Sequence, residues 1–152
     1  MHVPRSQWIR VLTAHPPATI VGLADELTNG WQIHHQIVPQ DGLALLPLRD
    51  SVFGEDFYLG EVPVASAWVQ LISSSGQKME GAAQVMGASA EVATALAVLD
   101  AIAANQAPGS ERVWLAMERG MEVRQQEEQV RIAMLERTRV NFSTALTEEE
   151  SD

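Results

Sequence analysis

The stretch GASAEVATALAVLDAIAANQ, residues 87–106, constrains the fold more than any other part of the chain. Val92, Leu96, Leu99 and Ile102 recur at helical spacing, with alanines between them. Ser89 suits the N-cap, and Glu91 falls in the first turn, where the helix dipole favours a carboxylate. Alanine side chains let a helix settle close to a flat surface. The expected surface is a β-sheet, and strand patterns precede the helix directly.

QKMEGAAQVM, residues 77–86, puts Met79, Ala83 and Val85 on one face and Lys78, Glu80 and Gln84 on the other. That is a strand with one wet side. The turn SSSG, 73–76, joins it to FYLGEVPVASAWVQL, 57–71. From Val62 onward both faces of that stretch are apolar, which predicts a central strand covered on both sides. Gly60 and Glu61 interrupt its start. A flexible residue beside a charge predicts a bend or bulge leading into the buried part. WQIHHQIV, 31–38, and LALLPLRD, 43–50, read as two further strands separated by the turn-forming PQDG. Pro47 places the second at a sheet edge or breaks it there, and SVFGED reads as a loop. The predicted class is α+β: an antiparallel sheet of about four strands flanked by helices, with a long C-terminal helical segment.

Two short helices are expected at the start. Trp8, Val11 and Leu12 share a face within 5–14, and Ser6 could start that helix. Pro16 and Pro17 end it, and Pro17 suits the first position of a second helix reaching Leu27. Asn29 or Gly30 would cap its end. From Ser110 to about 139 the pattern is helical again. Trp114, Met117 and Met121 are apolar early, Val130, Ala133, Met134 and Leu135 late, and EVRQQEEQ between them is polar. A helix with a polar waist is not buried along one face of a small domain. It either bends back onto the core or carries its distal half to another chain.

Composition narrows the function classes. At 152 residues the chain is one domain with a real core. A net charge of −10 argues against nucleic acid and anionic membrane surfaces as partners. The absence of cysteine rules out disulfides, thiolate metal sites and a thiol nucleophile. The N-terminus lacks the pattern of a signal peptide and no apolar run spans a membrane, so a cytoplasmic location is expected.

No catalytic, cofactor-binding or metal-binding residue is assigned. His34 and His35 are adjacent in a predicted strand and point to opposite faces, so they cannot chelate one ion together. His2 and His15 lie far away in sequence. The glycines at 81 and 87 match no phosphate-loop pattern; they are read as letting the strand end and the helix begin. Arg49 and Glu61 are charges set among apolar residues, and a structural ion pair between neighbouring strands is expected of them. An acid–base role would need a further polar group that the sequence does not indicate. Trp114, Met117 and Met121 form a stripe suited to a core or to an adaptable partner interface.

The order of these segments resembles a known family. RSQWIRVLTAH, FYLGEVPVASAWVQL followed by GAAQVMG, the alanine-rich helix ending LAVLDA, and RVNFSTAL occur colinearly over nearly the whole chain. The set is similar to the G subunit, PhnG, of the carbon–phosphorus lyase core complex of phosphonate degradation. The resemblance implies a single domain over 1–146, and TEEESD, 147–152, reads as an acidic, disordered tail. It implies partnership with the other core subunits, the I-type above all and the H- and J-types besides. The implied reaction replaces adenine of MgATP with an alkylphosphonate such as methylphosphonate, giving α-D-ribose 1-methylphosphonate 5-triphosphate and free adenine. Bond-making is assigned by the resemblance to a partner chain, so this chain would hold no cofactor while the complex uses MgATP. An assembly protein unrelated to phosphonates is the alternative. Trp114, Met117, Met121 and Phe142 are the expected partner contacts. The family often has arginine after the glycine at 87, where this chain has Ala88. It tends to carry Asp and Phe where Asn141 and Ser143 stand here. The missing arginine argues against direct phosphate contact by this subunit.

Overall fold

A computed structural model of the chain describes residues 3–138. A single 3-10 turn at Arg5–Gln7 leads into α1 (Trp8–Leu12) and α2 (Pro17–Leu27). Three strands follow, β1 (Gln32–Arg49), β2 (Asp56–Ile72) and β3 (Lys78–Met86). They are succeeded by α3 (Ala90–Ala104) and α4 (Ser110–Thr138). The sheet is antiparallel, in the order β1-β2-β3.

The α+β class holds, but the described sheet has three strands rather than about four. The two strands expected at 31–38 and 43–50 are one continuous strand of 18 residues. PQDG is not a turn. Strand β2 is long enough to pair with β1 on both sides of it, and unbroken pairing supplies ladder hydrogen bonds that a turn would forfeit. The turn-forming residues are absorbed as irregularities. The register slips between His35 and Ile37 and again between Ile37 and Gln40, with the extra residue each time on β1. As an edge strand β1 tolerates both Pro39 and Pro47. SVFGED is the turn between β1 and β2, closed by Asp50 N–H donating to the Glu55 carbonyl at 2.8 Å.

Gly60 and Glu61 do mark a bulge. Leu45 pairs with Glu61 and Pro47 with Tyr58, so β2 holds one extra residue there. Gly60 adopts φ +153, a conformation L side chains rarely take. Downstream, β2 is central, yet only one of its faces is covered. Ala65, Ala67, Val69 and Leu71 are buried, whereas Trp68 on the other face is 42% exposed. Strand β3 alternates as expected, with Met79, Ala83 and Val85 inward.

Helix α3 covers the inner face. Ser89 caps it by accepting from Val92 N–H, and eleven of its fifteen residues are buried. Burial on nearly every side explains its weak amphipathicity. The alanines serve close approach. A side chain at Gly81 would collide with the Ala97 carbonyl and with Ala101. Gly81 therefore sits within a strand beneath a helix, rather than at the strand end. Gly87, at φ +71, does occupy the turn out of β3. Helix α2 begins at Pro17 as expected, and Gly30 after it is left-handed, φ +78. No side-chain cap is present at the start of the N-terminal turn or of α1, so Ser6 does not play that role.

Candidate functional site

The residues singled out in the sequence occupy different places. Arg49 and Glu61 do not pair. Arg49 stands opposite Asp56, with 3.9 Å between Nε and the carboxylate, and its Nε donates to the Gly54 carbonyl at 3.0 Å. Glu61 stands opposite Leu45, about 13 Å away along the strand at roughly 3.3 Å per residue. The hairpin turn draws Arg49 to its own loop, which register reasoning from sequence could not foresee. Both residues are exposed, so neither occupies the apolar setting that the sequence implied.

The stripe on α4 faces inward. Met117 is fully buried in the chain's own core, and Trp114 and Met121 are half-buried against it. The Trp114 ring meets Trp8 edge-on, with 5.1 Å between centroids. Met117 thus offers no surface to a partner, correcting the interface role expected of it. The cause is the close crossing of α1 over α4. A side chain at Gly120 would strike the Val11 carbonyl, so glycine lets the helices touch there. His15 Nε2 donates to the Ala116 carbonyl at 2.7 Å. Arg124 donates to the Arg10 carbonyl and to Thr13 Oγ1, at 3.1 and 3.2 Å. Beyond Arg124 the helix continues unbroken for about 20 Å, at 1.5 Å per residue, with every residue from 125 to 137 exposed. It does not bend back, and Val130, Ile132 and Met134 on it are exposed. Phe142 and the acidic tail lie outside the described residues.

Asp100 was not singled out in the sequence, where it is a lone carboxylate at the end of an alanine run. In the fold it is buried. Its two oxygens accept from Arg5 Nε and Nη2 at 3.0 and 2.7 Å, and Oδ2 also accepts from Ala82 N–H at 3.2 Å. The hydrogen bond to Asp100, then its charge, raises the Arg5 pKa above the usual guanidinium range. The group pins the N-terminal turn, β3 and α3 together. A carboxylate within the otherwise apolar run of residues 95–104 was the available signal.

Concavities on the body are modest. One, about 420 Å³, lies between α2 and α4 and contains the Glu26–Arg112 ion pair and Arg119. Another, about 340 Å³, is lined by Asp25, His35 and Glu91 beside α2, β1 and α3. Among the described residues no three His, Asp or Glu side chains gather as a metal-binding group.

The unusual surface is the far end of the β1–β2 hairpin. β3 pairs with β2 only as far as Val64, so residues 43–63 project as a two-stranded arm. At about 3.3 Å per residue it is roughly 25 Å long. Phe53 at its tip is 81% exposed, Val52 78% and Tyr58 68%. Leu43, Leu45 and Leu59 are exposed as well. Isolated apolar side chains on a surface are ordinary, but a contiguous set on a projecting ribbon marks an interaction site.

Comparison with protein families decides what kind of chain this is. The family described as phosphonate metabolism protein PhnG matches residues 3–146. The chain belongs to that family. Membership places it with the carbon–phosphorus lyase machinery of phosphonate metabolism, and the alternative of a protein unrelated to phosphonates is set aside. Comparison with individual curated proteins returned no match. Within this PhnG chain, Ala88 is half-buried against the core at the start of α3. Among the described residues no helix is long and apolar enough to cross a membrane.

Proposed function

We propose that this chain is a scaffolding subunit of a carbon–phosphorus lyase core complex. It supports transfer of an alkylphosphonate onto the ribose C1 of MgATP, with release of adenine and formation of a ribose 1-phosphonate 5-triphosphate. The groups that make and break bonds belong to a partner chain, the I-type subunit being the nearest, with H- and J-type subunits in the same assembly. The observation that carries this reading is apolar surface on two projecting elements, the hairpin arm and the distal part of α4. A body that is already well packed gains nothing from such surface; a neighbour could cover it. The separation of Arg49 from Glu61 supports the same reading, because an acid–base role would need polar groups brought together.

The test is to co-express the chain with the I-type subunit, and with the H- and J-types, and to assay adenine release from MgATP plus methylphosphonate. Activity is expected only when the partners are present. Adenine release by the lone chain at the rate of the assembly would refute the proposal.

A further inference from the structure

We infer that the arm, residues 43–63, inserts into an apolar cleft with a basic rim on a different protein chain. This rests on the complex reading above and names the chemistry of one contact within it. Three observations carry it. The first is that the arm is apolar on both faces. Opposed residues share a face and successive ones alternate. Leu43 and Pro63 therefore lie on one side and Ala44 and Val62 on the other; nearer the tip, Leu48 and Phe57 lie opposite to Pro47 and Tyr58. A ribbon resting flat on a partner would be apolar on one face only. Apolar residues on both call for walls on both sides, hence a cleft.

The second is charge. The arm carries Asp50, Glu55, Asp56 and Glu61 against the single cation Arg49. Arg49 is already shared between Asp56 and the Gly54 carbonyl, so the arm meets its partner as an anion. A basic rim would steer the encounter and fix its register. A second copy of this chain, at net charge −10 and with the same acidic arm, is the wrong occupant, as is an anionic lipid surface. The chain's own C-terminal TEEESD has the wrong sign too.

The third is the bulge. An extra residue on β2 at Leu59–Gly60 makes the arm bend near its middle. The arm projects past the last β3 pair, so the bend shapes a segment that the body does not hold. A two-stranded ribbon is marginal alone in water, and enclosure by a partner stabilises that bent shape.

The experiment uses the full chain co-expressed with the core subunits, and two variants. One replaces Phe53, Tyr58 and Leu59 with serine. The other carries Glu55→Lys and Glu61→Lys. The serine variant is expected to lose at least tenfold in affinity for the assembly. The lysine variant is expected to associate more slowly and to lose most of the salt dependence of binding. Both should keep the wild-type circular dichroism and unfolding midpoint, since none of these side chains is in the core. Normal affinity and salt dependence in both variants, with wild type assembling, overturns the arm inference alone. Homodimers of the free chain that the serine substitutions dissolve also overturn it, because the occupant is then a second copy. Wild type that associates with none of the core subunits overturns the complex reading and the arm's occupant with it.

Discussion

The two halves of strand β2 differ in one respect that matters. From Ala65 to Leu71 every second residue is buried, while from Asp56 to Glu61 all are exposed. Both halves are rich in apolar residues, so hydrophobicity does not separate them. What separates them is cover. Helix α3 lies over the Ala65–Leu71 half and over β3, and nothing among the described residues lies over the Asp56–Glu61 half. Apolar side chains gain stability only where a second layer removes them from water. The body is therefore read as folded by its own packing, and the arm as surface kept for a neighbour.

The comparison can be broken most forcefully at Gly81. Gly81→Val would push α3 off the sheet and is expected to cost about 3 kcal/mol or more, since the obstructing atoms include backbone. Urea unfolding of the purified chain measures this; an unchanged midpoint would mean that α3 does not press on β3. Next comes Asp100→Ala. It leaves the Ala82 N–H and the Arg5 guanidinium without their shared acceptor, and a loss of about 2 kcal/mol is expected. On the Arg5 side the pair has a defined pH behaviour. The folded pKa is raised, so its contribution is fully present below the unfolded value and is lost only as pH rises through the strongly alkaline folded one. Stability from this group should be flat across neutral pH, and a slope there that disappears in Arg5→Met would contradict the pairing.

Smaller effects sharpen the contrast on the arm. Gly60→Val forces an L side chain into φ +153 and is expected to cost about 1–2 kcal/mol, released by local straightening rather than by loss of the core. Amide hydrogen exchange should then speed up in residues 43–63 and stay unchanged in α3. Phe53→Ser is the smallest, within about 0.5 kcal/mol of wild type in thermal unfolding. A large loss there would show that the tip packs on the chain itself.

Much of the local structure was legible in the sequence. The α3 stripe, its Ser89 cap, the alternation of β3 and the bulge at Gly60 each depend on neighbours close in sequence or on one repeating period. The errors share a different origin. PQDG has turn chemistry, but long-range pairing to β2 outweighed it. Arg49 and Glu61 sit on adjacent strands, but a bulge and a hairpin turn set the register that keeps them apart. Met117 was legible as apolar at helical spacing, though not whether α1 or another chain would cover it. Asp100 left only a faint trace, because its partners are Arg5, far back in the chain, and a backbone N–H.

By itself the sequence determined where the helices run, that β3 alternates, and the colinear order that marks the PhnG family. The first two follow from local propensity and periodicity, which every short window of residues carries. Only the tertiary structure decided which apolar residues are covered, which carboxylate is buried, and that β1 and β2 outrun the third strand to form an arm. Those outcomes depend on how far one element extends past another, and no single segment encodes that length difference.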